Sequence, residues 1–127
     1  MRAVGSIGSE MTHARTCMRA ARLLPEHEDA HGCANRLYYC VFHCARALIT
    51  DGGHAAKSHV GLLGTFGLHF VRTGRFSESE GRLYKSLMDL RQDADYGVFV
   101  DVALEETRAL LPAVAAFLAK AEALLGR

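Results

Sequence analysis

The sequence predicts an all-α protein, an up-and-down bundle of four to five helices. Apolar residues recur at three- and four-residue spacing through most of the chain, the repeat that lines one face of a helix. No stretch alternates apolar and polar residues in the manner of a strand. Breakers separate the periodic stretches: Pro25, Gly52-Gly53, Gly74 and Gly97 lie between them, and Pro112 falls inside one. A chain of 127 residues, 50% hydrophobic and 23% charged, is sized and composed for one globular domain with a single core.

Taken in order, residues 1–9 are rich in Gly and Ser and read as a flexible tail, leaving 10–127 as the domain. A first helix is expected from about Glu10 to Leu24, with Met11, Ala14, Met18, Ala21 and Leu24 as its inner stripe, and Pro25 stops it. A second begins near Glu26 and ends before Asp51-Gly52-Gly53, a turn and C-cap signal. Ser58 is placed to cap a third helix, in which Val60, Leu63, Phe66, Gly67, Phe70 and Val71 carry the periodicity as far as Gly74. Ser77 or Ser79 caps a fourth, from about Glu80 to Tyr96, with Leu83, Leu87 and Leu90 facing inward. The fifth runs from about Asp101 to Leu125 through Leu104, Leu111, Val114, Phe117 and Leu118, and Pro112 either kinks it or joins two shorter helices.

Composition limits the function. A formal net charge of +1 excludes a strongly basic protein that grips nucleic acid by bulk electrostatics, while leaving room for a local RNA site. No run of about 18 apolar residues occurs, so no membrane span is expected. Of Cys17, Cys33, Cys40 and Cys44, three share one helical run, and no signal peptide is recognised. A disulfide framework is therefore not expected, and a reduced, cytoplasmic protein is.

Several motifs have an ordinary explanation. His27-Glu28-Asp29-Ala30-His31 spells H-E-x-x-H, the zinc-protease pattern, yet it starts just after Pro25-Glu26 at a polar helix start with no third ligand motif, so chance is the preferred reading. Cys33, Cys40, His43 and Cys44 lie along one helix and are unable to close a tetrahedron around one ion, so no metal and no cofactor is expected. Gly61, Gly64 and Gly67 read as packing glycines, and Gly5-Ser6-Ile7-Gly8-Ser9 lacks the strand and lysine of a phosphate loop. His59, near a helix start, reads as local capping or solvation, and Arg91 with Asp95 as an intrahelical pair.

The informative stretch is Ala34 to Leu48, which contains neither Gly nor Pro. At about 100° per residue, Leu37, Val41, Cys44, Ala45 and Leu48 make one apolar stripe. Arg36, Cys40, His43 and Ala47 make the opposite row, with Arg36 and His43 two turns and about 10 Å apart. Small side chains fill the row between them, so both faces of the helix read as buried. Burying an arginine and a histidine there is costly unless each has a partner or a task.

The same stretch, Arg36-Leu37-Tyr38-Tyr39-Cys40-Val41-Phe42-His43-Cys44-Ala45-Arg46-Ala47-Leu48, resembles the R-x-Y-Y-x-x-F-H-x-A-x-A-L core of the HEPN domain family. Lys57-Ser58-His59 resembles that branch's K-x-H, Phe70-Val71 its F-V, and Arg91-Gln92-Asp93-Ala94-Asp95-Tyr96 its R-x-x-A-D-Y. The resemblance implies an all-α domain that forms a homodimer. Many members are metal-independent ribonucleases that use an arginine, four to six residues, then a histidine. Several act as toxins or effectors beside a small nucleotidyltransferase, which here would be a separate chain. Leu37 departs from the polar residue that the best-known nuclease members carry after the arginine.

Two functional readings follow. In the first, Arg36 and His43 are catalytic, with Tyr39, His59, Arg91, Asp95 and Tyr96 as RNA- or nucleotide-binding residues. Histidine titrates near neutrality and arginine grips phosphate oxygens at two points. A two-fold axis past Cys40 and Ala47, both small enough for close approach, would bring two such pairs together. In the second, the domain is a non-catalytic nucleotide- or protein-binding module, with Arg36 tied to Asp95 or a similar carboxylate.

Overall fold

The computed structural model describes residues 2–126 apart from 96–103, with only the backbone described over 2–6 and 92–95. Among the described residues are five α-helices: α1 (Arg2–Leu23), α2 (Ala30–Asp51), α3 (His59–Phe66), α4 (Glu78–Asp95) and α5 (Leu104–Leu125). A 3₁₀ turn, Leu24–His27, precedes α2, a π-helical turn, Gly67–Val71, follows α3, and no described residue is in a strand. The all-α bundle expected from periodicity is the observed architecture.

The first helix corrects the reading of residues 1–9 as a tail. α1 starts at Arg2, and Ile7 is 5% exposed in the same apolar cluster as Met11, Ala14, Met18 and Ala21. Ile7 and Met11 are four residues apart, so the stripe read from Met11 onward extends one turn further back, and its burial outweighs the low helix propensity of the nearby Gly and Ser.

The second helix begins four residues later than expected, for a local reason. Pro25 opens the 3₁₀ turn, Glu28 adopts a left-handed φ of 57°, and the Asp29 N–H closes on the Leu24 carbonyl at 3.0 Å. Asp29 then caps α2, its Oδ1 accepting from the Gly32 N–H at 2.8 Å. A Cβ at Gly32 would meet the Asp29 carboxylate at 2.2 Å, so the glycine makes room for the cap. His27 and His31 thus lie on either side of a chain reversal, not on one face of a helix as the zinc-protease pattern requires.

The remaining helices start where caps place them. Ser58 Oγ accepts from the Gly61 N–H at 2.9 Å at the head of α3. Ser77, not Ser79, caps α4 in a reciprocal box with Glu80: the Glu80 N–H reaches Ser77 Oγ at 3.1 Å, and the Ser77 N–H reaches Glu80 Oε1 at 2.8 Å. Lys120 Nζ meets the same Glu80 oxygen at 2.7 Å and fastens α5 to this cap. α5 runs through Pro112 as one helix.

Helix α2 is the axis of the bundle. It packs most extensively on α1, then on α5, α4 and α3. Leu37, Val41, Cys44 and Ala45 on one side, and Cys40 and Ala47 on the other, are all at 0% exposure. A second apolar focus is aromatic: Phe66 lies 5.6 Å from both Tyr84 and Phe117, and Phe76 lies 4.7 Å from Phe117, ring centre to ring centre. These contacts knit α3, α4 and α5 together. Tyr84 and Met88 join Leu87 in the α4 core, while Leu83 is only partly buried and Val60, at 63% exposure, faces out of α3.

The continuous α1 has a measurable consequence. Ile7→Ala should lower stability by about 2 kcal/mol or more, the usual cost of truncating a buried aliphatic side chain. Leu23→Ala, at a position 57% exposed, should change it by less than about 0.5 kcal/mol. Urea unfolding followed by circular dichroism gives both values, and equal small effects would return residues 1–9 to the status of a tail.

Candidate functional site

The site lies along the seam between α1 and α2, which run antiparallel. Matched contacts define their register: Glu10 faces His43 and, two turns along, Cys17 faces Arg36. Both residues of the Arg36–His43 row therefore find partners on α1.

His43 is the more precisely held. Its Nδ1 lies 2.6 Å from Glu10 Oε1, and the two side chains are only 18% and 15% exposed. A carboxylate oxygen accepts hydrogen bonds, so Nδ1 donates to Glu10 and Nε2 is the ring nitrogen that Glu10 does not engage. The other Glu10 oxygen, Oε2, lies 3.0 Å from Arg46 Nε, one turn further along α2. Glu10 thereby couples a histidine to an exposed cation. The His13 ring stacks on His43 with centroids 5.2 Å apart and planes at 26°, and a ring nitrogen of His13 lies 3.0 Å from the Ser9 carbonyl.

Arg36 is half-buried and engaged at three points. Its Nη2 and Nε donate to Asn35 Oδ1 at 2.6 and 3.0 Å, and its Nη1 donates to Cys17 Sγ at 3.4 Å. Burial pushes the Cys17 thiol up, against the pull of the guanidinium, so the sulfur acts as a neutral acceptor. Tyr39 stands between the two ends of the row, 5.2 Å from the Arg36 guanidinium and 6.2 Å from the His43 ring.

A second tier holds His59 and Arg91. The Tyr38 hydroxyl is hydrogen-bonded to His59 Nδ1. Burial, against the pull of Arg91, pushes the Tyr38 phenol up to about 12, so it stays protonated and donates. Burial, then Arg91 and Arg46, holds His59 below the ordinary histidine range. His59 is accordingly a neutral imidazole that carries its proton on Nε2. Its ring stacks on Phe42 at 4.6 Å and 18°, and the Arg91 guanidinium lies 5.5 and 5.6 Å from the Tyr38 and Tyr39 rings.

Five of the residues singled out from sequence thus form one connected group: Arg36, Tyr39, His43, His59 and Arg91. Tyr96 and the side chain of Asp95 lie outside the described residues. The expected Cys40–Ala47 seam with a second copy is corrected. Both residues are wholly buried within the chain, in the core cluster shared with α1, so that face of α2 is already occupied. Among the described residues, no group of three or more His, Cys, Asp and Glu is arranged to hold a metal ion.

Sequence reasoning passed over Glu10, His13, Asn35, Tyr38 and Arg46. A signal existed for the first: Glu10 is the one carboxylate in the first 25 residues, and it sits beside the buried stripe at Met11. No intrahelical rule pairs it with a histidine 33 positions away.

Fold and site define a class, a small all-α domain whose buried central helix presents an arginine and a histidine in one row. The chain belongs to the HEPN domain family, whose model matches residues 10–124. It is similar to a Thermotoga maritima protein named "UPF0332 protein", 32% identical over 112 residues, covering 88% of this chain and 85% of the relative. It is also similar to the Methanocaldococcus jannaschii protein named "Putative toxin MJ0605", 37% identical over 79 residues, covering 62% of this chain and 59% of the relative. A second protein of that organism, "Putative toxin MJ0142", is 30% identical over 77 residues, 61% of this chain and 52% of the relative.

The depressed His59 pKa sets a pH dependence of stability. The unfolded histidine protonates near about 6.5, the folded one only at lower pH. Between these values the unfolded state holds more protons, so stability is fully present above about pH 6.5 and falls as the pH drops towards the folded value. Urea midpoints at about pH 5 and about pH 7.5 should differ less in His59→Phe than in the wild type. An unchanged difference would show that His59 does not titrate as its surroundings dictate.

Proposed function

We propose that this protein is a metal-independent ribonuclease of the HEPN type, the toxin or effector half of a system whose other component is a separate nucleotidyltransferase. The observation that carries the catalytic part is the 2.6 Å contact between Glu10 and His43 Nδ1, which fixes one tautomer and leaves Nε2 for chemistry. The toxin names of two relatives support the biological part.

The chemistry needs no metal ligand set. His43 Nε2 takes the proton of a ribose 2′-hydroxyl, and the 2′-oxygen attacks the adjacent phosphorus. The bond from phosphorus to the 5′-oxygen breaks, a 2′,3′-cyclic phosphate forms, and the leaving oxygen takes a proton from a protonated imidazole. His13, stacked on His43, is the neighbouring imidazole suited to that second role. Arg36 stabilises the charge that accumulates on the phosphorane oxygens, for which its planar fork is matched. In this proposal the protein is a cytoplasmic homodimer, with its seam elsewhere than Cys40 and Ala47.

The second reading, a non-catalytic binding module, has its own support. The Arg36 guanidinium is engaged with Asn35, Cys17 and Tyr39 of its own chain, as a structural arginine would be.

Purified protein incubated with labelled RNA in excess chelator separates the two. His43→Ala should lower the cleavage rate by about 10²-fold or more, the usual contribution of general acid–base catalysis. Glu10→Gln should lower kcat by a smaller factor and alter the pH–rate profile, since the amide holds the imidazole less firmly in one tautomer. Arg36→Ala should lower kcat with its melting temperature retained. No cleavage by the wild type would establish the non-catalytic reading, and equal cleavage by wild type and His43→Ala would overturn His43 as the base.

A further inference from the structure

A small cleft of about 150 Å³ opens beside the site, between α2 and the start of α3. Its chemistry is one-sided. Arg46 comes from α2, Lys57 from the loop ahead of α3 and His59 from the first position of α3, while Phe42 forms an apolar wall. None of its lining residues is acidic. Pockets for whole small molecules run from roughly 300 Å³ upward, so this cleft is sized for a single small group rather than a nucleoside.

We propose that this cleft is a phosphate subsite for the RNA strand, gripped by Arg46, Lys57 and the Nε2–H of His59. This inference rests on the ribonuclease reading and extends it to substrate binding. One carboxylate, Glu10, touches a lining residue of the cleft: it lies 3.0 Å from Arg46 Nε, and 2.6 Å from His43. The cleft and the proposed base are therefore linked through one carboxylate, and a strand seated on Arg46 runs past His43. The three donors complement one another. Lys57 and Arg46 bring full charges, while His59, fixed by Tyr38, brings a neutral N–H donor whose orientation does not change with pH near neutrality. The Phe42 ring carries His59 at 4.6 Å on one face and lies 5.8 Å from the Arg46 guanidinium, so both donors are held against one rigid surface. The formal net charge of the chain is only +1, so such a local cluster, not the overall field, would have to seat a polyanion.

Lys57 is the residue to change, because its side chain is exposed, and exposed substitutions of this kind usually change stability little. The full-length protein is titrated with inorganic phosphate while amide chemical shifts are followed, and with a 2′-O-methyl RNA oligonucleotide, which no 2′-hydroxyl attack can cleave, by fluorescence anisotropy. Phosphate should move the amides of Lys57 and His59, with chloride at equal ionic strength as control. Lys57→Ala should weaken oligonucleotide binding several-fold and reduce the slope of log K against log salt by about one, as expected when one phosphate contact is lost. Lys57→Arg should restore both. Cleavage by Lys57→Ala should show a raised KM and an unchanged kcat. Unmoved amides, or a Lys57→Ala protein with wild-type affinity and slope, would overturn the subsite. So would equally tight, Lys57-dependent binding of an acidic peptide, which would make the occupant a protein. The two proposals fail separately: Lys57-dependent RNA binding without cleavage upholds the subsite against the ribonuclease, and cleavage indifferent to Lys57 does the reverse.

Discussion

The site exists because α1 lies along α2 in one antiparallel register. Cys17, Ala14 and Ala21 on α1, and Cys40 and Ala47 on α2, are small and buried, so the two backbones approach closely. A slip of one helical turn would remove Glu10 from His43 and Cys17 from Arg36 together. Burying a histidine and a glutamate is tolerable only where each satisfies the other, so this polar contact also selects the register that the apolar stripe alone would leave open. Arg46 completes the arrangement from the solvent side, placing a positive charge on the carboxylate that orients the imidazole.

The aromatic tier serves a different purpose. Tyr38 is fully buried, and His59 at the start of α3 meets its hydroxyl. The Phe42 and Tyr38 rings both pack near-parallel to that imidazole, and Arg91 from α4 covers Tyr38 and Tyr39. Three helices thus converge on one pair of rings. The two imidazoles have different surroundings. His59 is kept neutral by burial and by two arginines, whereas His43 faces a carboxylate. The first is held by the Tyr38 hydroxyl at Nδ1, the second by the Glu10 carboxylate at Nδ1.

Small side chains on the outer row of α2 have two structural explanations, a second copy of the chain or another helix of the same chain. The geometry here is the second: α1 fills that face. Any two-fold contact of this chain then uses a surface other than Cys40 and Ala47.

Periodicity and breakers by themselves determined the class, a count of four to five helices and the buried stripes of the first two, because a 3.6-residue repeat is a local property that survives any tertiary arrangement. They also brought out Arg36 and His43, since a charged pair in a row of small residues conflicts with burial wherever the helix packs. Element starts were legible where one side chain decides them, as at Ser58 and Ser77, and misjudged where two signals compete, as at Pro25 and Asp29. What only the tertiary structure decided is which groups meet. Glu10 and His43 are 33 residues apart and Tyr38 and His59 are 21 apart, and no helical spacing rule links them. Their pairing follows from helix register, which depends on how the small residues of α1 and α2 interlock and on where Pro25 and Asp29 reverse the chain.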